Sequence, residues 1–199
     1  MMLITLVSMS GGELVAKVKE AERNLKDYTA RMESKTHDEK GKMEYKLYIQ
    51  KYMKPGYVYM KVIRGANRGG VAVYHPDKKK VRVKKGFLKL WLSPDDKRLR
   101  SPRGHRIYES HIPWFVSRLN NGAKFLHEAT LFGRKVYVLE QPLSPTKNYG
   151  AVRARYWIDA EKFLPVMVID YDDKGKIVRS VKFMNLKVNV GLTKEDFKI

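Results

Sequence analysis

From residue 43 onward the apolar residues of this chain return, stretch after stretch, with a period of two, and turn-length connections separate the stretches. Successive side chains of a β-strand point to opposite faces, so this period marks strands with one face to bury. In "MEYKLYIQKY" (43–52), Met43, Tyr45, Leu47 and Ile49 share one face and Glu44, Lys46, Tyr48 and Gln50 the other. "YVYMKVI" sets Val58, Met60 and Val62 against Tyr57, Tyr59 and Lys61, and "VAVYHP" and "VRVKK" follow after short loops. Strands joined by such short connections pair antiparallel, because a parallel crossover needs a dozen residues or more. After "KFLHEATLFGRKVYVLEQP", which reads as a hairpin about Phe132-Gly133-Arg134, come "VRARYWID", "LPVMVIDY" and "KIVRSVKFMNLKVN". A sheet of so many strands does not stay flat; its twist makes it curl or close.

Two helices interrupt the pattern. Ser10 to Glu13 fits the S-x-x-E capping box that opens a helix, and Leu14, Val18, Ala21, Leu25 and Tyr28 then recur in steps of four and three. Ile112, Phe115, Val116 and Leu119 form a second stripe, with Pro113 in its first turn and Asn120-Asn121-Gly122 as its stop. Each helix has one narrow side to bury, so both are expected to pack on the sheet. Met1 to Val7 is apolar but too short for a membrane span. Residues 1–10 read either as the remnant of a trimmed signal peptide or as a first strand, and 11–199 as a single α+β domain.

The stretch "VRVKKGFLKLWL" (81–92) decides between two kinds of partner. Val81 and Val83 are apolar in odd phase, Leu88, Leu90 and Leu92 in even phase, so a bulge or turn must intervene near Lys84-Lys85-Gly86. A strand–bulge–strand reading puts the leucines toward an interior and Lys84, Lys85 and Lys89 on its outside or rim. The loop that follows, from Ser93 to Arg106, is rich in cations and long for a compact domain.

The formal net charge of +20 implies an anionic partner: a nucleic acid, an acidic membrane, or an acidic glycan or lipid head group. Twelve Lys and Arg against two acids lie between Lys78 and Arg106, with Phe87 and Trp91 among them. Lys85-Gly86-Phe87 begins like an RNA-recognition signature, but Leu88, Lys89 and Leu90 break it and the β-α-β-β-α-β order is absent, which argues against nucleic acid. The five histidines have no metal-ligand spacing, and with no cysteine there is neither a disulfide nor a thiolate site. No nucleophile elbow, Walker loop or dinucleotide fingerprint occurs, so neither an enzyme nor a cofactor is expected.

The C-terminal third carries a more specific signal. Trp157-Ile158-Asp159, Leu164-Pro165, Asp172 to Lys176, Asn185-Leu186 with Asn189, and Leu192 with Phe197 stand in an order and spacing that resembles the LolA-like superfamily of periplasmic lipoprotein carriers. The hairpin "LFGRKVYVLE" is similar to that superfamily's G-x-x-x-Y-x-L strand. The middle of the chain looks most like an uncharacterised bacterial branch of the same superfamily. The resemblance implies a strongly curved antiparallel half-barrel with helices packed on its concave face, and a hydrophobic cavity between them that shields acyl chains. It therefore implies a non-enzymatic periplasmic binder of a lipid, a lipoprotein or another acylated amphiphile. An envelope protein-interaction or sensor module with a filled core is the alternative, and nucleic-acid binding through the basic surface a second one.

On this reading Met60, Val62, Leu88, Leu90 and Leu92 are the expected cavity wall, and Ile112, Phe115 and Leu119 a movable lid. Lys84, Lys85, Lys89, Arg98, Arg100, Arg103 and Arg106 are the expected surface for an anionic head group, a membrane surface or an envelope partner.

Overall fold

A computed structural model describes residues 9–199. The first helix, α1 (Gly11–Asn24), opens on the expected capping box: Glu13 N–H donates to Ser10 Oγ (3.2 Å) and Ser10 N–H to Glu13 Oε2 (2.7 Å). There follow β1 (Asp27–His37), β2 (Met43–Met53), β3 (Tyr57–Gly65), β4 (Val71–His75), β5 (Lys80–Lys85) and β6 (Leu88–Leu92). A long strap, residues 93–111, then leads to the short helix α2 (Ile112–Ser117). The chain finishes with β7 (Lys124–Leu131), β8 (Arg134–Pro142), β9 (Arg153–Asp159), β10 (Pro165–Tyr171) and β11 (Ile177–Val188).

The eleven strands of the described residues form one antiparallel sheet in the order β6-β5-β4-β3-β2-β1-β11-β10-β9-β8-β7. Two meanders, β1–β6 and β7–β11, are thus joined by the β1–β11 pair, and the sheet curls about the helices as an open half-barrel. Because neighbours alternate in direction, the turns at 38–42, 66–70, 86–87 and 172–176 all lie at the end where β1 finishes, here the upper end.

Register assigns the faces. Tyr28, Ala30, Met32, Ser34 and Thr36 of β1 lie opposite Tyr52, Gln50, Tyr48, Lys46 and Glu44 of β2, and this set faces the concave side. The polar-looking face of β2 is therefore the inner one, while Met43 and Ile49 stay exposed outside. Period fixed the two faces of that strand correctly, but composition did not say which is buried.

Leu14, Val15 and Val18 of α1 and Ile112, Phe115 and Val116 of α2 pack into the trough against Tyr28, Met32, Leu139, Tyr156, Ile158 and Phe183. Full burial of each aliphatic side chain stabilises by about 1.5–3 kcal/mol. Tyr28 continues the helical spacing of α1 but belongs to β1: the helix ends at Asn24, with Leu25 extended at its C-cap. A Cβ at Gly11 would collide with the Ala123 carbonyl, so the start of α1 is held against the segment entering β7.

A second core lies on the convex side. Tyr57, Val73 and Phe197 are buried there, with Leu192 and Ile199 packed beside them, so the C-terminal segment clasps the back of β3 and β4. Asp27 fastens it by accepting from Val190 N–H (2.7 Å) and Gly191 N–H (3.2 Å).

The helices are joined to the sheet by polar bonds as well as by packing. The fully buried Tyr28 hydroxyl donates to Gln50 Oε1 (2.7 Å) and accepts from Ile112 N–H at the start of α2 (3.2 Å). Gln50 Nε2 in turn donates to the Ser110 carbonyl (2.9 Å). Tyr28→Phe leaves the Ile112 N–H and one Gln50 lone pair unsatisfied, at a cost of about 1–3 kcal/mol. Urea unfolding of the two proteins should show a lower midpoint with an unchanged slope.

Candidate ligand-binding cavity

The helices fill the β7–β11 half of the trough and leave the β2–β6 half to a different roof. The strap crosses it from the end of β6 back to α2, and beneath lies a cavity of about 220 Å³. That is slightly below the ~300–1,000 Å³ usual for small-molecule sites. Its floor is the inner face of β1–β5, with Met32, Tyr48, Met60, Val62, Ala72 and Val83, and Leu99 and Ile107 of the strap close it from above. Thr36, Glu44, Lys46, Asn67, Gly70, Lys85 and Leu88 also line it, all at the upper end of their strands or in the turns there. The cavity therefore opens toward the upper end.

The wall is apolar, but its edge is strongly cationic. Seven Lys and Arg side chains line it against one carboxylate, Glu44. Four of the seven have partners: Lys46 with Glu44 (2.8 Å), Arg98 with Asp96 (2.7 Å), Arg100 with Asp95 (3.1 Å), and Arg106 with Asp95 and Glu109. Among the described residues Lys84, Lys85 and Arg179 have no carboxylate within ion-pair distance. The Nε atoms of Arg100 and Arg179 are buried and make no hydrogen bond.

Arg179 is the innermost of these charges. It lies opposite Asp170 across β10 and β11, but Asp170 is engaged by Arg118 through two bonds, of 2.9 and 3.0 Å. Arg179 instead donates to the Glu109 carbonyl (2.9 Å) and to Ser110 Oγ (3.1 Å), which ties the strap to β11. Burial, only partly offset by the Asp170 carboxylate, brings its guanidinium down to about 10, so it stays charged at neutral pH. Against the same penalty of burial, Asp170 raises Arg118 above the ordinary arginine value. Two buried cations thus lie beside one buried carboxylate, and a net positive charge remains on the β11 side of the cavity.

The strap is held mostly by polar contacts. Glu109 accepts from the Tyr149 hydroxyl (2.6 Å) and from Arg106 N–H (2.7 Å). Arg103 donates from Nε to the His37 carbonyl (2.7 Å). His105 is buried against the Tyr149 ring, 4.1 Å between centroids, with Nδ1 2.9 Å from Ser101 Oγ. Burial, reinforced by the charges of Arg179, Arg118 and Arg103, holds the His105 imidazole neutral far below its ordinary value.

The structure brings together part of the expected site. Met60, Val62 and Leu88 line the cavity, and so do Lys84, Lys85, Arg98, Arg100 and Arg106. Leu90 and Leu92 lie on the same inner face, opposite Val83 and Val81, but toward the closed end and outside the cavity. Ile112, Phe115 and Leu119 are fully buried in the core of the other half and do not form the roof. Arg103 is spent on backbone carbonyls, and Lys89 pairs with Lys84 in the outer register.

The phase change between Val83 and Leu88 is a hairpin rather than a bulge. Lys85 lies opposite Leu88, and Gly86 and Phe87 make a two-residue turn with φ +58° at Gly86, the first central position of a type II′ turn. Arg179, His105 and the roof residues Leu99 and Ile107 are not among the residues expected at the site. No local motif marks them; only the strap's unusual length and polarity point to that part of the molecule.

This architecture, a curled antiparallel sheet with helices in its trough and a roofed cavity beside them, is the LolA-like half-barrel. The chain belongs to the family described as "Protein of unknown function (DUF1571)", whose model matches residues 25–199. Solved structures share the fold at low identity. One is a candidate outer membrane lipoprotein-sorting protein domain from Vibrio parahaemolyticus, with 18% identity, 94% of this chain and 96% of that chain covered, and a TM-score of 0.51. Another is the lipoprotein LppX of Mycobacterium tuberculosis, with 13% identity, coverage of 90% and 97%, and a TM-score of 0.56. A third is an uncharacterized conserved protein of Thermus thermophilus, with 12% identity, coverage of 94% and 91%, and a TM-score of 0.59. A search of curated proteins found no match.

The state of His105 makes the strap's contribution measurable. Above the ordinary histidine value of 6.5 neither the folded nor the unfolded chain protonates this ring. Below it the unfolded chain takes up a proton that the folded chain refuses, so stability falls by about 1.4 kcal/mol per pH unit from this group alone. Denaturation of wild type and His105→Asn across the acid side of that value should give a shallower pH slope for the variant, by one proton.

Proposed function

We propose that the protein is a non-enzymatic binder or carrier of an acylated amphiphile with an anionic head, a lipid or a lipoprotein acyl chain, working in the bacterial envelope. The observation that carries this reading is the pairing within one cavity of an apolar floor with a cationic edge. Met32, Met60, Val62, Ala72 and Val83 offer a methylene chain nothing to hydrogen-bond. Arg100 and Arg179 hold buried donors that lack an acceptor, and Lys84 and Lys85 stand at the mouth without carboxylate partners. An orphaned buried donor is costly, and an anionic oxygen supplies the acceptor it lacks. The strap gives a way in, because it closes the roof mainly through polar contacts, with Leu99, Ile107 and the Tyr108 ring on Tyr74 as its apolar ones. The names of two fold neighbours, a lipoprotein-sorting domain and a lipoprotein, are consistent with an envelope setting.

Burial of an acyl chain gains ~0.8 kcal/mol per methylene, close to a fourfold rise in affinity for each CH₂. Titration with saturated fatty acids of increasing length should show about that increment until the cavity is full, and a plateau beyond it. Ala72→Trp, which fills the floor, should lower affinity at least ~10-fold with the circular dichroism spectrum retained. Native mass spectrometry of the purified protein should show a discrete acyl-bearing species that this variant lacks. No uptake by the folded wild type, and no dependence on chain length, would refute the reading in favour of a module with a filled core.

A further inference from the structure

The upper end of the β2–β6 half carries an apolar point on a cationic base. Phe87, in the β5–β6 turn, is fully exposed, and Leu88 beside it is 58% exposed. Lys84 and Lys89 face each other just behind the tip, and Lys85 lies opposite Leu88. The neighbouring 66–70 turn adds Arg68, and the end of β3 adds Arg64, both exposed. Lys85 Nζ donates to Asn67 Oδ1 (3.2 Å) and links the two turns. Between Arg64 and Lys89 the sequence holds one carboxylate, Asp77, and the topology places it in the β4–β5 turn at the opposite end.

Five cations with no acid among them, surrounding two exposed apolar side chains on a convex tip, fit one kind of partner. A protein partner would need a pocket matched to the phenyl ring, whereas a fluid bilayer yields to it. Aromatic side chains are favoured at the membrane–water boundary, and lysine and arginine are drawn to the potential of anionic leaflets. A small apolar insertion and a basic patch are each weak alone and sufficient together. We propose that this tip docks the protein on an anionic lipid bilayer, with Phe87 and Leu88 in the boundary between head groups and acyl chains. Arg64, Arg68, Lys84, Lys85 and Lys89 meet the head groups. Lys84, Lys85 and Leu88 also line the cavity, so docking turns the cavity mouth to the lipid surface. That purpose rests on the acyl-chain reading of the cavity, though the docking itself does not.

The test is flotation of the purified protein with vesicles of phosphatidylcholine alone or mixed with phosphatidylglycerol. Wild type should float with the mixed vesicles and not with the neutral ones, and added salt should release it. A Phe87→Ser/Leu88→Ser variant should bind ~10-fold or more weakly, and Lys84→Gln/Lys85→Gln/Lys89→Gln should lose ~10–100-fold together with most of the salt dependence. Lys85, Phe87, Leu88 and Lys89 are exposed and Lys84 is half-buried, and circular dichroism checks that each variant is folded. Ala72→Trp should dock like wild type even where acyl uptake is lost, so failure of the cavity reading is told apart from failure of docking. Equal binding to neutral vesicles, or unchanged affinity of the folded Phe87→Ser/Leu88→Ser variant, would overturn the proposal. Retention of duplex DNA through the same lysines without vesicle binding would overturn it in favour of nucleic acid.

Discussion

Asp170 stands between two arginines, and the arrangement of the whole concave side depends on it. Its carboxylate takes both terminal nitrogens of Arg118, which fixes the end of α2 to β10. Its charge also makes the neighbouring Arg179 tolerable in the interior, and Arg179 holds Glu109 and Ser110, the last turn of the strap. Burying ions in this way is a poor means of gaining stability, since desolvation consumes most of the Coulombic attraction. What it gives here is position. One carboxylate sets where the helix ends, where the strap lands, and where a buried positive charge sits.

The cavity follows from how these elements divide the trough. Two helices, one of only six residues, cannot cover the inner face of an eleven-stranded sheet. The core they form is centred on β1 and the strands from β7 to β11, and the inner face of β2–β5 is left beneath a strap with few apolar contacts to offer. Its polar inner positions, Glu44 and Lys46, make sense at the mouth of an opening and would be costly in a closed core. The same sequence of strands therefore yields a well-packed half and a half with room in it.

Most of the sheet was legible from period alone, because a period of two is imposed by the strand itself. The faces of β2 were separable but their direction was not: Tyr48, Gln50 and Tyr52 look outward by composition, yet Tyr28, Ser110 and His111 satisfy or stack on them inside. The hairpin at Gly86-Phe87 was hidden in the same way, as a change of phase that either a bulge or a turn explains. Residues that suggested the LolA-like resemblance turn out to be makers of backbone rather than of the cavity. Asp159 accepts from Glu161 and Lys162 N–H, Asp172 from Lys174 and Lys176 N–H, and Asn185 and Asn189 take left-handed φ values of +53°. Fold was readable because turns leave local signatures. The site was only half readable, because its roof and its inner charge come from segments far apart in sequence, and no local rule joins Arg179 to Glu109.

The division between roof and core has a mechanical meaning. The strap is fastened at each end, to β6 and to α2, but along its length it relies largely on hydrogen bonds and ion pairs, with a few apolar and ring contacts beside them. The packed half relies on buried apolar surface that water cannot replace. Any local opening would begin at this panel rather than in the packed half. The molecule is a packed frame with one panel sealed largely by polar bonds.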